Sequence, residues 1–435
     1  MVSRSFVTSK SATAARSAAS ATLVTYNILA DGERLAMSSK HDYCSRELRE
    51  WGDRKSGRCA RLISELQEYN ADVFCLQECN AKAFLQFETG LGGPSAEGRL
   101  QDGALASFHA SSLLTGKEAE DARQSTTGLA TFIRQSTWEP VAAHAVRLGS
   151  LLEDHRHTGA VRKKLSSQSE AVLLVLLQHG VTKQRLVVGN THLFWDPRYP
   201  HIKAAQAELA CKAACTFIRK HAVEGEPLPA MVLMGDFNSI PQLQPAFLPI
   251  SIKLPAALPA RWSHSATYEL MTAGRCESTH PEHPDTFLGK ISADRSSEPP
   301  VAKKPNGASG LGALRTGLSL RDGYAGALVD GPLPLTTHAD NFKGGIDYIW
   351  VSTFPPTPAA ATGMGSTSMG SVLTESVISE GVLPCSPVEI HEVLGMPYAV
   401  DQFDAFEKIP SESHASDHLA LGLKLSLPPP RPSSG

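Results

Sequence analysis

No stretch of this 435-residue chain approaches the ~20 consecutive apolar residues that a membrane-spanning helix needs. That absence argues against a membrane partner. None of the eight cysteines (44, 59, 75, 79, 211, 215, 276 and 385) forms a C-x-x-C pair, and their spacing fits no zinc motif. Reduced, partly buried thiols inside a cell are expected instead. An excess of positive charge is also missing, since 41 Lys and Arg face 44 Asp and Glu, for a net charge of −3. A broadly basic nucleic-acid coat is thereby excluded. A nucleic-acid substrate would have to be held locally, by metal, stacking and a few cations. No internal repeat is present. Residues 1–20 lack any acid and carry Arg4, Lys10 and Arg16 among many Ser and Ala. They read as a disordered basic tail, with an organelle transit peptide as the alternative. A cytoplasmic or nuclear protein is expected, a mitochondrial or other organellar one being the alternative.

What is present is an ordinary globular composition, 42% hydrophobic and 20% charged. Short Val/Ile/Leu-rich runs predict buried strands at Thr22–Ile28, Val73–Gln77, Gly128–Arg134, Ala171–Gln178, Arg185–Asn190, Met231–Gly235, Ile346–Val351 and Leu419–Leu425. Apolar residues three and four apart predict helix within Cys44–Tyr69 and over Pro200–His221. The fold class is therefore α/β. Polar tags cap the strands from one end of the chain to the other, so residues 21–426 are expected to form one catalytic domain. Pro-, Ser- and Gly-rich composition predicts mobile insertions near 292–312 and 354–371, and a Pro-rich tail over 427–435.

Six of those tags carry the chemistry: Asn27 in "LVTYNILAD", Glu78 in "DVFCLQE", His192 in "LVVGNTHLFWDP", Asp236 and Asn238 in "MVLMGDFNS", Asp347 in "GGIDYIWVS", and Asp417-His418 in "HASDHLALGLKL". Hard carboxylates suit Mg²⁺, which keeps several waters and takes few protein ligands. Glu78, ending a buried strand, is the first candidate ligand, and Asp417 is the candidate to complete the shell. Asp236 can orient or deprotonate a water. A strand period of two would put Asn238 on the same side, where it can donate to a phosphate. His418 needs a partner to set its tautomer, and Asp347 can serve if its strand lies beside the final one. His192 can donate to phosphate. Each residue alone has a plainer reading: Asn27 as a turn residue, His192 as a hydrogen-bonded core His, Asp417-His418 as a cap. The ordered set points to phosphodiester hydrolysis.

The series "YNILAD…CLQE…NTHLFWDP…GDFNS…FKGGIDYIWVS…SDH" resembles the endonuclease/exonuclease/phosphatase superfamily. More narrowly, it is similar to the nuclease domain of CCR4-type deadenylases, including nocturnin-like and 2′-phosphodiesterase-like relatives. The resemblance spans residues 22–290 and 318–426. It implies a DNase I-like four-layer α/β sandwich, in which two packed mixed sheets are flanked by helices. It also implies Asn27, Glu78 and Asp417 at a Mg²⁺ site (Mn²⁺ as substitute) and His192, Asp236, Asn238, Asp347 and His418 as catalytic residues. Pro197 and Phe342 match residues that sandwich a nucleobase, often adenine. The implied activity is 3′-to-5′ exoribonuclease action on single-stranded RNA. Alternatives are a 2′,5′-oligonucleotide or nucleotide-cofactor phosphodiesterase and, in a different class, an inactive RNA-binding scaffold. The Leu-rich repeats of CCR4 proper are absent, so recruitment through them is not expected. Ser169-Glu170 replaces the usual Asn before "VLLVLL", and Ala420 replaces the usual Pro after "SDHL". Glu170 would either repel phosphate or face solvent.

Overall fold

The computed structural model describes residues 4–9, 19–30, 43–92, 105–125, 128–152, 159–243, 263–287, 312–325, 333–339, 342–354, 381–398 and 406–428. The insertion segments 292–311 and 355–371, and residues 429–435 of the tail, lie outside these. Two mixed sheets pack face to face. The seven-stranded sheet runs β1 (Phe6–Thr8), β16 (Glu389–Leu394), β17 (Leu421–Leu427), β2 (Ala19–Asn27), β3 (Val73–Gln77), β5 (Leu129–Arg134), β4 (Leu105–His109). The six-stranded sheet runs β12 (Leu320–Asp322), β15 (Asp347–Ser352), β9 (Ala230–Asp236), β8 (Arg185–His192), β7 (Ala171–His179), β6 (Trp138–Arg147). Two short ribbons complete the strands, β10 (Arg275–Cys276) with β11 (Leu314–Arg315), and β13 (Thr337–His338) with β14 (Lys343–Gly344). The pairs β2–β3 and β8–β9 are parallel.

Strands such as β7, "AVLLVLLQH", are apolar on consecutive residues because both faces are covered. One face meets the opposite sheet. There Leu23, Val73, Cys75 and Ile133 pack with Val175, Val188, Val232 and Ile349. The outer faces carry helices. Helix α1 (Gly57–Tyr69) and α2 (Ala81–Gly92) cover the seven-stranded sheet. Helix α3 (Gly159–Ser166), α4 (Pro200–Lys220) and α5 (Ala266–Ala273) cover the other. The layers are thus α/β/β/α. Within Cys44–Tyr69 the long helix starts only at Gly57, whose φ of +68° no side chain adopts easily and whose Cβ would lie 2.6 Å from Trp51 O. Pro200 opens α4, where a missing N–H costs nothing. All eight cysteines are buried thiols. Among the described residues no helix is long and apolar enough to cross a membrane.

Buried amides link the two sheets across the apolar layer. Gln77 Nε2 donates to Asn190 Oδ1 at 2.8 Å, and Asn190 Nδ2 donates to Leu76 O and Ala130 O at 3.1 and 2.9 Å. Every one of these groups is buried.

The reading of residues 1–20 as a disordered tail needs correction over residues 4–9 and over Ala19 and Ser20, which open β2. Phe6–Thr8 add to the free edge of β16, and Arg4 donates from Nε to Gly395 O and from Nη2 to Ala420 O, both at 2.8 Å. An edge strand gains ladder hydrogen bonds that a composition reading cannot foresee.

His201 on α4 stacks on Phe287 with centroids 4.2 Å apart, and burial pushes its imidazole down to about 3. The unfolded chain therefore binds a proton below pH ~6.5 that the native state refuses, so stability is lost as pH falls from there toward 3. Buried acids such as Asp322, held up at about 6 by burial, titrate in the opposite sense over part of that window. The clean measurement is therefore a difference. Relative to wild type, His201→Phe should gain roughly 1.4 kcal/mol per pH unit between 6.5 and 4.5 in urea melts. Parallel pH profiles would refute a neutral buried imidazole.

Candidate active site

The tags converge because the strands that carry them end, or begin, at one edge of the sandwich. Asn27, His192 and Asp236 close β2, β8 and β9, and Asp347 opens the antiparallel β15. The ladder register sets His192 and Asp347 on either side of Asp236. Glu78 follows β3 at a φ of +58°. Asp417 and His418 precede β17, and His418 is bridged to Thr337.

Asp236 is fully buried and central. Its Oδ2 accepts from Asn27 Nδ2 at 3.0 Å and lies 3.4 Å from His192 Nε2 and 3.8 Å from His418 Nε2. Its Oδ1 accepts the Asn238 backbone N–H at 2.8 Å. Gly235 permits this crowding, since a Cβ there would sit 1.9 Å from Thr191 O, at a φ of +142°. Asn27 Nδ2 also donates to Glu78 Oε1 at 3.1 Å, while its Oδ1 accepts from Leu29 N. Glu78 Oε2 accepts from Ala30 N at 2.8 Å. Asn27 therefore stands behind the cleft wall and braces two acids.

His418 Nδ1 hydrogen-bonds Asp347 Oδ2 at 2.9 Å. Burial would depress its imidazole, but Asp347, Asp236 and Asp417 outweigh it and hold the pKa well above the ordinary histidine value. The pairing does not arise as the sequence suggested. Strand β15 lies beside β9 and β12 in the six-stranded sheet, whereas β17 belongs to the other. The contact spans the sandwich. Asn238 also differs from a simple strand-period reading. The strand stops at Asp236, and a tight turn with Asn238 at φ +50° presents the residue. Asn238 Nδ2 donates to Leu193 O at 2.9 Å.

A cleft of about 460 Å³ opens here, walled by Glu78, His192, Asp236, Asn238, Asp417 and His418 at its acidic end. Pro197 and Phe342 line it as well. Asn27 and Asp347 stand behind that wall. Glu170 is not part of it, and accepts from Gln206 Nε2 at 3.1 Å. That same Gln206 accepts from Phe194 N, so the pair supports the "LFWDP" loop.

Two lining residues carry no sequence signal of their own. Lys203, buried on α4, donates to Asn238 O at 2.6 Å, and burial pushes its ammonium down to about 8. Only its place on the inward face of an Ala-rich helix hinted at a role. Trp195, 59% exposed, reads from sequence as one more apolar residue of "LFWDP".

The donor set fits a hard divalent ion. Glu78, Asp236, Glu282 and Asp417 line the cleft, and Lys203 is the sole Lys or Arg among its described lining residues. Oxygen-only acids in such surplus suit a hard cation, and Glu78 and Asp417 are carboxylates that could hold one. The described cluster of Asp236, Asp347 and His418 has donor atoms within 4.8 Å of one another. His418 Nδ1 is already committed to Asp347, which suits proton handling better than ligation.

The endonuclease/exonuclease/phosphatase family pattern matches residues 24–418. CCR4-NOT transcription complex subunit 6-like-B of Xenopus laevis is 24% identical over 353 residues, covering 76% of this chain and 56% of that protein. The CCR4-Not complex 3′-5′-exoribonuclease subunit Ccr4 of Aspergillus clavatus is 22% identical, covering 78% of this chain and 48% of that one. The chain thus spans about half the length of these curated relatives. Among solved structures, ANGEL2, a 2′,3′-cyclic phosphatase in complex with adenosine-2′,3′-vanadate, superimposes with a TM-score of 0.60 at 18% identity, over 98% of this chain and 99% of that one. That likeness speaks to the fold, which is the four-layer DNase I-like sandwich described above. With its strand-end residues gathered as they are, the chain belongs to the endonuclease/exonuclease/phosphatase family.

Proposed function

We propose that the protein is a Mg²⁺-dependent 3′-to-5′ exoribonuclease acting on single-stranded RNA, with preference for adenine. The observation that carries this reading is Asp236 buried between two imidazoles at the base of a cleft whose outer walls include Pro197 and Phe342. Asp236 holds and deprotonates the attacking water, kept in orientation by Asn27 and the Asn238 N–H. His192 and the Asn238 amide contact nonbridging phosphate oxygens. His418, protonated against Asp347, stabilises the charge gathering on phosphate and leaving oxygen. A bound Mg²⁺ would supply Lewis-acid neutralisation of that same charge. Pro197 and Phe342 grip one base, and stacking of that kind is typically worth ~1–3 kcal/mol.

The Ccr4 relative is called a 3′-5′-exoribonuclease, and ANGEL2 a 2′,3′-cyclic phosphatase. One panel separates the possibilities: poly(A), the other homopolymers, 2′,5′-oligoadenylate, adenosine 2′,3′-cyclic phosphate and dinucleotide cofactors, each with Mg²⁺ or chelator. The expected result is stepwise release of 5′-AMP from poly(A), abolished by EDTA and restored by Mg²⁺. Turnover confined to the small phosphates would replace exonuclease with phosphatase. RNA binding without products would make the protein a scaffold.

A further inference from the structure

Trp195 is one of the most exposed large apolar side chains in the described structure, at 59%, yet it sits in the wall of the acidic cleft. Its loop is built, not loose. Phe194, next to it, is buried, with ring centroids 6.1 Å apart and the Phe194 N–H held by Gln206. The Phe194–Gln206 hydrogen bond fixes the backbone beside the indole. Cations gather on the same side. Lys164 Nζ lies 4.3 Å from the Phe194 ring and 4.9 Å from Tyr199, and Arg198, three residues after Trp195, is exposed and paired with Asp196 at 2.6 Å. Lys163, adjacent on α3, is exposed. Among the described lining residues of the cleft Lys203 is the one lysine or arginine, so Lys163 and Lys164 add cationic charge outside it.

From this juxtaposition we infer that Trp195 is a second stacking platform: it receives the base of the nucleotide next to the one held by Pro197 and Phe342. Lys163 and Lys164 meet the phosphates that follow. The proposal rests on the exoribonuclease reading and deepens it, because it makes the preferred substrate a strand of several nucleotides. An indole is sequence-tolerant, since every base has a π-face, and a few lysines beyond it track a backbone without a basic coat. A single-base substrate ends before the indole and gains nothing from it. Specificity for length is thereby separated from specificity for the clamped base.

The test compares wild type with Trp195→Ala and Trp195→Phe on three substrates with Mg²⁺. These are hexa-adenylate, hexa-adenylate whose next-to-last nucleotide is abasic, and the 4-nitrophenyl ester of adenosine 5′-phosphate, which carries one base. Trp195→Ala should raise KM for the hexamer roughly 5- to 150-fold with kcat little changed, and Trp195→Phe should recover most of the loss. The ester's KM should stay within about two-fold, and the abasic hexamer should behave alike with wild type and Trp195→Ala. Equal losses on ester and hexamer would mark a merely structural role and overturn the proposal. Wild-type KM for the hexamer retained by Trp195→Ala would overturn it too, while leaving the exoribonuclease reading standing. If wild type hydrolyses the ester but no oligomer, that reading fails, and the proposal with it. Equal melting temperatures certify that the exposed substitution leaves the fold intact.

Discussion

Asp236→Asn is expected to lower kcat on poly(A) by ~10²–10⁴-fold, with KM and the melting temperature little changed. The substitution keeps the shape of a side chain that is fully buried, and an amide oxygen can still accept the Asn238 N–H. What disappears is the negative charge that faces His192 and His418 and the base that takes the water's proton. A second readout follows. Asp236 is one of three acids holding the His418 pKa up, so its neutralisation should lower that pKa, visible as an imidazole titration shifted to lower pH by NMR. Full Mg²⁺-dependent turnover by Asp236→Asn would remove Asp236 from the chemistry.

The largest stability effect is expected at Arg58, which is not among the residues lining the cleft. Its guanidinium is 99% buried and fans out over main-chain carbonyls, with Nη1 on Ile28 O and Ala415 O at 3.1 Å, Nη2 on Leu29 O at 2.6 Å and Ala30 O at 3.3 Å, and Nε on Arg49 O at 3.2 Å. All of these but the Arg49 carbonyl belong to the segment after β2 and the segment before β17. One carries on from Asn27 and the other leads into Asp417 and His418. Arg58→Met would leave several of them buried without donors, at ~1–3 kcal/mol each before relaxation. A loss of about 3–5 kcal/mol in urea unfolding is expected, large for any single substitution. Arg58→Lys should rescue little, because an ammonium with three donors cannot serve five carbonyls. Activity should fall in the molecules that remain folded, since Ser416, whose hydroxyl donates to Asn27 O at 2.6 Å, links the same two segments. Loss under 1 kcal/mol would show that these carbonyls find other donors.

The central strands were legible because they are buried on both faces, and their apolar runs stand out without any partner being known. Strand β6 was not. "WEPVAAHAVR" mixes polar residues and Pro140, which edge strands tolerate, and the register shifts between Pro140 and Ala142. Strand β1 hid within a basic, Ser-rich segment, because its partner β16 lies almost four hundred residues away. The candidate site was legible as a list of chemically apt residues, each closing an apolar run. Their arrangement was not. Asn27 looks like a turn residue until its amide is seen on two carboxylates, and the Asp347–His418 contact requires knowing that two strands from different sheets face each other. Lys203 and Trp195 sit in stretches where the pattern says only helix and loop.

The Gln77–Asn190 contact sets the tolerance of the whole arrangement. Apolar faces resist being pulled apart but have no preferred offset, so an oily layer alone would let two sheets slide like cards. A slip of one residue is ~3.3 Å, enough to part Glu78 from Asp236 beyond the span of the asparagine that joins them. A buried amide dowel one or two residues below the rim forbids that slip, so the spacing of the reacting groups is dictated by a contact no substrate ever touches.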